Sequence, residues 1–527
     1  MNNIVYGDYT DVAHSDYVPD LAAEPSSSYA VDIRGKHIFL FFILALIVSG
    51  LSGISDTSGG VFTAARVILG AALISSVLMP SRYGIPLFLA LVLVAPDLTQ
   101  SASEKAMYGE YNIASIWRFY IGPIRPSWIL AACVIIQIIK TRPIALDKRT
   151  KGAIIWFVTV PVITGLIYGG FTTSVSSIEV LADIRFGIML ITGVILFHSF
   201  FRKHPDMLGF VMALFIGSLL GRCLVDIIYW LTGYGAVMGG VSRASVDSTK
   251  STVIFVLLYA IVMIMRRKKF LLGPIIGIGC VLLIIVYGTR MIWLTSVLCC
   301  VILLYIFGAK RAVIAVPIVI LLAFGSLKLV RWYQVESLEV VAERARTLTG
   351  GGGGSYIESV DPVRYREIVN SMNTSTKRLS FLWGNGYGSY YTEEVISFPL
   401  SLLNAFPEYS AATGQFYYLH NFPFQVLFKH GIIGMVIILI LWIGPPWECF
   451  KTAFNRRDPS LFMGVMGCFL AFVPSSMLNL YWSGKGMLLS GFIIAVLLSI
   501  VEQYRQDEGD MLLPNEVYEG SCNWTQQ

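Results

Sequence analysis

LGFVMALFIGSLLGRCLVDIIYWL, residues 208–231, places only two charges, Arg222 and Asp226, in an otherwise apolar run. Coiled as an α-helix, such a run is ~36 Å long, enough to cross a hydrocarbon core of ~30 Å. Lipid offers the backbone no hydrogen-bonding partner, so a run of this kind must close its N–H and C=O groups on itself as a helix. Similar runs recur along the chain, at 37–54, 61–79, 84–96, 126–139, 152–168, 186–201, 208–231, 251–265, 270–287, 291–308, 312–330, 421–443, 459–479 and 486–502. With 55% hydrophobic and 14% charged residues and a mean hydropathy of +0.69, the chain is too apolar for a soluble protein of 527 residues. The expected fold class is an all-α polytopic membrane protein of about 14 transmembrane helices (12–14, as the third and fourth runs are short), with a large outward-facing loop carrying short helices.

Basic residues cluster on one side of this arrangement: Arg34 and Lys36; Lys140, Arg142, Lys148, Arg149 and Lys151; Arg202 and Lys203; Arg266, Arg267, Lys268 and Lys269; Lys310 and Arg311; Arg456 and Arg457. The excess of Lys and Arg on cytoplasmic loops then puts both termini in the cytoplasm and faces 97–125 and 331–420 outward. The expected organisation is a disordered cytoplasmic tail at 1–36, a bundle of about 11 helices at 37–330, an outer loop at 331–420, further membrane helices at 421–502 and a cytoplasmic tail at 503–527. The first 36 residues lack the basic start and short apolar core of a cleavable signal peptide. The net charge of +6 restates the basic loops and their contact with anionic lipid, and points to no nucleic-acid partner. Eight cysteines, none in the outer loop, form no disulfide framework or metal-ligand spacing. No regular repeat is evident, which argues against a transporter built from two similar halves.

Charges inside or at the outer ends of the spans need a partner or a wet cavity, since an arginine near mid-bilayer costs roughly 2.5–3.5 kcal/mol. Arg222 and Asp226, four residues apart on one helix, can neutralise each other. Arg66 is explained by snorkelling to the outer interface or by ligand binding. Arg185 opens the sixth span, and the preceding Asp183 points elsewhere on the helix. Arg290 occupies a tight outer turn, Tyr-Gly-Thr-Arg-Met-Ile-Trp, and Arg243 lies in the outer loop before it. Convergent guanidiniums on the outward half suit a phosphate or diphosphate, as the planar fork donates paired hydrogen bonds and keeps its charge. The bland reading is that they anchor ordinary phospholipid.

Within the outer loop, five glycines at 350–354 read as a hinge. Asp361-Pro362 then caps a short helix carrying Arg364 and Arg366. Phe-Leu-Trp-Gly-Asn-Gly-Tyr-Gly-Ser-Tyr-Tyr, 381–391, alternates glycine and aromatics, as in a compact turn presenting rings to a sugar or to the membrane interface. The chain re-enters the membrane at His420-Asn421. This histidine reads either as an interfacial cap or as a proton acceptor.

His420-Asn421 followed by Gly431-Ile-Ile-Gly434 resembles the signature of the bacterial O-antigen ligase and O-antigen polymerase superfamily. Gly384-Asn-Gly386-Tyr-Gly388, Thr289-Arg290-Met-Ile-Trp293 and Arg243 resemble further motifs of that family, over about 240–440. Lys429 departs from the pattern, where the family often has an acidic residue near the glycine. The resemblance implies a GT-C glycosyltransferase acting on undecaprenyl-diphosphate-linked glycans at the outer face of the bacterial inner membrane. His420 and Arg290 would be catalytic, and Arg185, Arg243, Arg364, Arg66 and Asn421 would bind substrate. No cofactor and no metal are expected. The expected partners are the lipid-linked donor, a glycan acceptor and membrane lipid, with a chain-length regulator as a protein the sequence does not identify. The acceptor distinguishes a polymerase, the favoured reading, from a ligase that uses lipid A core. The rival from another class is a flippase for the same lipid-linked glycan.

Overall fold

The computed structural model describes residues 35–53, 60–95, 116, 126–143, 148–171, 177–231, 236–238, 241–243, 253–254, 256–257, 260–261, 272–286, 296, 362–403, 406, 408–456 and 484–512. The helices are α1 (Gly35–Gly53), α2 (Gly60–Leu78), α3 (Ser81–Val94), α4 (Pro126–Thr141), α5 (Lys148–Phe171), α6 (Ser177–Lys203) and α7 (Leu208–Leu231). They continue with α8 (Leu272–Val286), α9 (Pro362–Lys377), α10 (Leu400–Leu403), α11 (Glu408–Thr413), α12 (Phe422–Arg456) and α13 (Gly484–Leu512). Between α7 and α8 a small antiparallel hairpin pairs β1 (Ala236–Met238) with β2 (Val241–Arg243), Ala236 opposite Arg243.

Among the described residues six stretches are long and apolar enough to cross a membrane: Gly35–Ser52, Gly60–Leu78, Glu179–Lys203, Pro205–Val225, Phe422–Leu441 and Gly484–Glu502. Shorter apolar helices at Ser81–Val94, Trp128–Thr141 and Lys151–Ile167 match three more of the expected runs, and α8 matches the run at 270–287. The expected spans at 291–308 (Ser296 apart), 312–330 and 459–479 and most of 251–265 lie outside the described residues, as do 1–34, 513–527 and the pentaglycine, whereas α13 runs on to Leu512, into the stretch expected as the C-terminal tail.

Each helix buries the face that packs on its neighbour. Around α6 stand α13, α4 and α5, and α7 packs against α1 and α3. Small residues let backbones close up, as they do between membrane helices: a Cβ at Gly217 of α7 would stand 2.4 Å from the carbonyl oxygen of Ile38 in α1. The short α3 ends inside the bundle, leaving its last carbonyls to be satisfied by others. Arg222 reaches Val94 O at 3.4 Å and Lys485 reaches Ala95 O at 2.8 Å, so buried cations meet the negative end of the helix dipole. Arg222 therefore has a partner besides any pairing with Asp226, whose side chain is not described.

Candidate functional site

Pro362 opens α9, as its fixed backbone angle and missing N–H predict. The helix buries Glu367, Asn370, Ser371, Thr374 and Ser375, a polar face that must be satisfied by what it meets. What Glu367 meets is His420. One carboxylate oxygen accepts the His420 backbone N–H at 2.9 Å, and the other lies 2.6 Å from Nδ1. The carboxylate is fully buried, whereas the imidazole keeps 29% of its surface. Against an ionised carboxylate, which can only accept, Nδ1 is the ring nitrogen that carries a hydrogen. The ring is further oriented by Phe406, edge-on at 5.3 Å.

The chain leading to His420 is held from both sides. Gln425 of α12 accepts the Leu419 N–H at 2.7 Å and donates to Tyr417 O at 3.4 Å. The Tyr418 hydroxyl donates to Glu179 in the first turn of α6 at 3.4 Å. Tyr418 also packs edge-on against Phe186, whose ring lies under the guanidinium of Arg185 at 4.6 Å. The structure thus links Arg185 to the His420 segment through two aromatic rings. Asn421 follows at the start of α12, with a buried Oδ1 that has no hydrogen-bonding partner among the described residues.

Below His420, α12 is broken. Gly431 adopts φ 67° and ψ −167°, outside the helical region and favoured by glycine. The break orphans carbonyls before it and N–H groups after it, and the 381–388 turn satisfies them. Asn385 and Gly386 donate to Phe428 O and Lys429 O at 2.8 and 2.9 Å. Ile432 and Ile433 donate to Phe381 O and Leu382 O at 2.9 and 3.0 Å. On its other side the turn meets α5, where the Tyr387 N–H reaches Pro161 O at 2.9 Å.

The run 421–443 has a membrane-spanning length as expected, but it consists of two helices of different direction that meet at the break at Gly431. Against expectation, the aromatic turn does not present all its rings: Tyr387 and Tyr391 are fully buried, because the backbone that carries them is spliced between α5 and α12. Burial, and then the Glu367 carboxylate, push the Tyr391 phenol well above its ordinary pKa, so it stays protonated.

Lys429, the departure from the family pattern, lies just before the break. Its ammonium is buried, 2.8 Å from Asp183 of α6 and 2.6 Å from Ser389 O. Asp183 also accepts the Gly388 N–H at 2.8 Å. The two charges tie α6, α12 and the turn together.

The other expected site residues are placed less fully. Arg364 sits on α9, one turn ahead of Glu367. Its neighbour Arg366 is committed to the loop, donating to Ser397 O and Pro362 O at 3.2 Å each. Arg243 ends β2 with its side chain outside the description, and Arg290 lies outside the described residues. Arg66 stacks over Phe62 of its own helix at 5.5 Å, and α2 packs chiefly on α3, α1 and α4; no described contact joins it to His420.

No protein-family model matches this chain, and no characterised protein does. Glu367, Asp183 and Lys429 are the residues sequence reading did not assign. A buried lysine in an apolar run was the one visible signal.

Close packing at the turn gives a direct test. A Cβ at Gly386, where φ is 81°, would stand 2.0 Å from the backbone nitrogen of Gly165, whereas at Gly414, with φ 66°, nothing lies within 4 Å. Both alanine variants pay roughly 1–2 kcal/mol for a left-handed backbone, but only Gly386→Ala must also push α5 away. The expected result is a modest drop in the thermal midpoint of detergent-solubilised protein for Gly414→Ala and loss of monodisperse protein for Gly386→Ala.

Proposed function

We propose that the chain transfers a glycan from an undecaprenyl-diphosphate-linked donor, at the outer face of a bacterial inner membrane, as a polymerase that joins lipid-linked repeat units. The observation that carries this reading is the partly exposed His420, whose Nδ1 is held by the buried Glu367 carboxylate. That arrangement is a positioned general base. About fourteen spans with both termini cytoplasmic would put it on the periplasmic side.

In this mechanism an acceptor hydroxyl attacks the anomeric carbon from the face opposite the diphosphate. Its proton passes to His420 Nε2, the new C–O bond forms, and the bond to the diphosphate oxygen breaks with its electron pair. The configuration therefore inverts. Arg290 and Arg185, with Arg243 and Arg364, stabilise the charge that builds on the leaving diphosphate, which in a dry, preorganised site is commonly the larger contribution. Asn421 orients the acceptor or the donor sugar. The proposal needs no metal and no cofactor.

Arg290→Ala is expected to lower transfer by about 10²–10³-fold, the size of losing one preorganised charge-stabilising donor. The readout is long-chain polysaccharide in a strain lacking the gene. Single repeats on lipid A core in that strain support the polymerase. Unsubstituted core with long chains stranded on undecaprenyl diphosphate makes the protein a ligase instead. Unchanged product with both Arg290→Ala and His420→Ala removes the catalytic reading and leaves the flippase.

A further inference from the structure

The turn that mends α12 carries a run of exposed apolar side chains. Leu379 is 81% exposed, Leu382 48% and Trp383 41%. Because Phe381 and Leu382 bond to the backbone of Ile432 and Ile433, this run lies beside the outward face of α12, where Ile432, Ile433, Val436 and Ile440 are also exposed. The two surfaces form one continuous apolar face.

Its depth can be counted from the basic inner ends of the helices. After Gly431 the first basic residue of α12 is Lys451, twenty residues on, and Asp183 of α6 precedes Arg202 by nineteen. At ~1.5 Å per residue both intervals are about 30 Å, the thickness of a hydrocarbon core. If the inner boundary lies at Lys451 and Arg202, the outer one passes through Gly431, Asp183 and the turn bound to them. The 35 residues of α12 are then divided into a spanning part after the break and a part before it that rises from the bilayer. The polar side of the turn agrees: Lys377 and Glu394 form an exposed ion pair at 2.5 Å, two residues before Leu379.

We propose that Leu379, Leu382 and Trp383 are an interfacial anchor, seated among the acyl chains of the outer leaflet, that fixes the outer loop to the bilayer surface. The chemistry suits this depth. Leucines are favoured in the upper acyl region, and tryptophan is favoured where hydrocarbon meets headgroups. The occupant is bulk phospholipid, since the exposed face continues the lipid-facing side of α12. The anchor does not depend on the catalytic proposal: it concerns where the loop sits, whatever His420 does there.

The test uses the full-length chain in nanodiscs made with ordinary or dibrominated phosphatidylcholine, the bromines placed near the head of the acyl chain. A thiol-reactive bimane is attached at Leu379→Cys, and separately at Leu382→Cys in case the first variant folds poorly. Tyr409→Cys, an exposed position elsewhere on the outer loop, is the control, and the signal of the unsubstituted chain is subtracted throughout. Brominated lipid is expected to cut the emission at 379 and 382 roughly in half while leaving 409 unchanged. Emission at 379 and 382 that brominated lipid does not lower would overturn the anchor, whether water or another part of the chain covers the turn.

Discussion

Glu367→Gln is expected to lower glycan transfer by about 10²–10⁴-fold, close to the loss from His420→Ala, because a positioned base contributes on that scale only in the right tautomer. The substitution keeps the shape of the side chain and removes its charge. An amide can donate as well as accept, so it no longer forces the hydrogen onto Nδ1. A ring protonated at Nε2 cannot take the acceptor's proton. Two features separate this from simple damage to the fold. The double variant is expected to be little worse than either single one, since the two residues act as a unit. The acid limb of the pH–rate profile, where protonation of the base silences it, is expected to vanish in His420→Ala, whereas in Glu367→Gln the imidazole remains and the loss is expected across the whole profile. Transfer near the parent level in Glu367→Gln would reduce Glu367 to a packing residue. Structural loss is expected to be small in Glu367→Gln, because the amide can still accept the His420 N–H, 2.9 Å from the carboxylate in the parent.

What sequence made legible here was local. The helical runs follow from composition and length. The start of α9 follows from Asp361-Pro362, a signal carried by adjacent residues. His420 was legible at a re-entry point as an interfacial cap or a proton acceptor, but the carboxylate that holds its ring was not, because Glu367 lies 53 positions away on a helix whose polar face looks like that of any surface helix. The Asp183–Lys429 pair spans 246 positions, so neither residue announces the other. Gly431 was visible as part of a Gly-Ile-Ile-Gly motif, yet a glycine in an apolar run is compatible with helix and with break alike. Its backbone angle is decided by the turn at 381–388, which offers bonds that a continuous helix would not need. The aromatic alternation of that turn was legible as a turn. Which rings face inward was not, because that depends on α5 arriving at Pro161 and Gly165.

Lys429→Met is expected to destabilise the protein by about 3–5 kcal/mol, because it leaves Asp183 buried without its counter-charge. That is a large share of a total stability of roughly 5–15 kcal/mol. Among the described residues Asp183 would retain only the Gly388 N–H at 2.8 Å, and the Ser389 carbonyl would lose the Lys429 donor. Asp183→Asn combined with Lys429→Met removes both charges while leaving an amide oxygen to accept from Gly388. Replacing a whole buried pair by neutral groups is often neutral or stabilising, so the double variant is expected to regain most of the loss. The measurement is the thermal midpoint of each variant in detergent, with folded yield beside it. A double variant as unstable as Lys429→Met would mean that the lysine acts through its bond to Ser389 rather than through its charge. Recovery of stability decides that the pair is a brace, and transfer by the recovered protein then tests what the brace is for. Asp183 and Lys429 hold the turn against the broken helix, the same turn whose Asn385 bonds to Ser375 at the far end of α9. Glu367 lies two turns back along that helix, under His420. If α9 is kept in register by this brace, neutralising the pair should cost little transfer as long as the bonds of the turn to Phe428 and Lys429 carbonyls survive. Those two backbone bonds across the break, rather than the charges, are then what keeps Nδ1 of His420 within reach of its carboxylate.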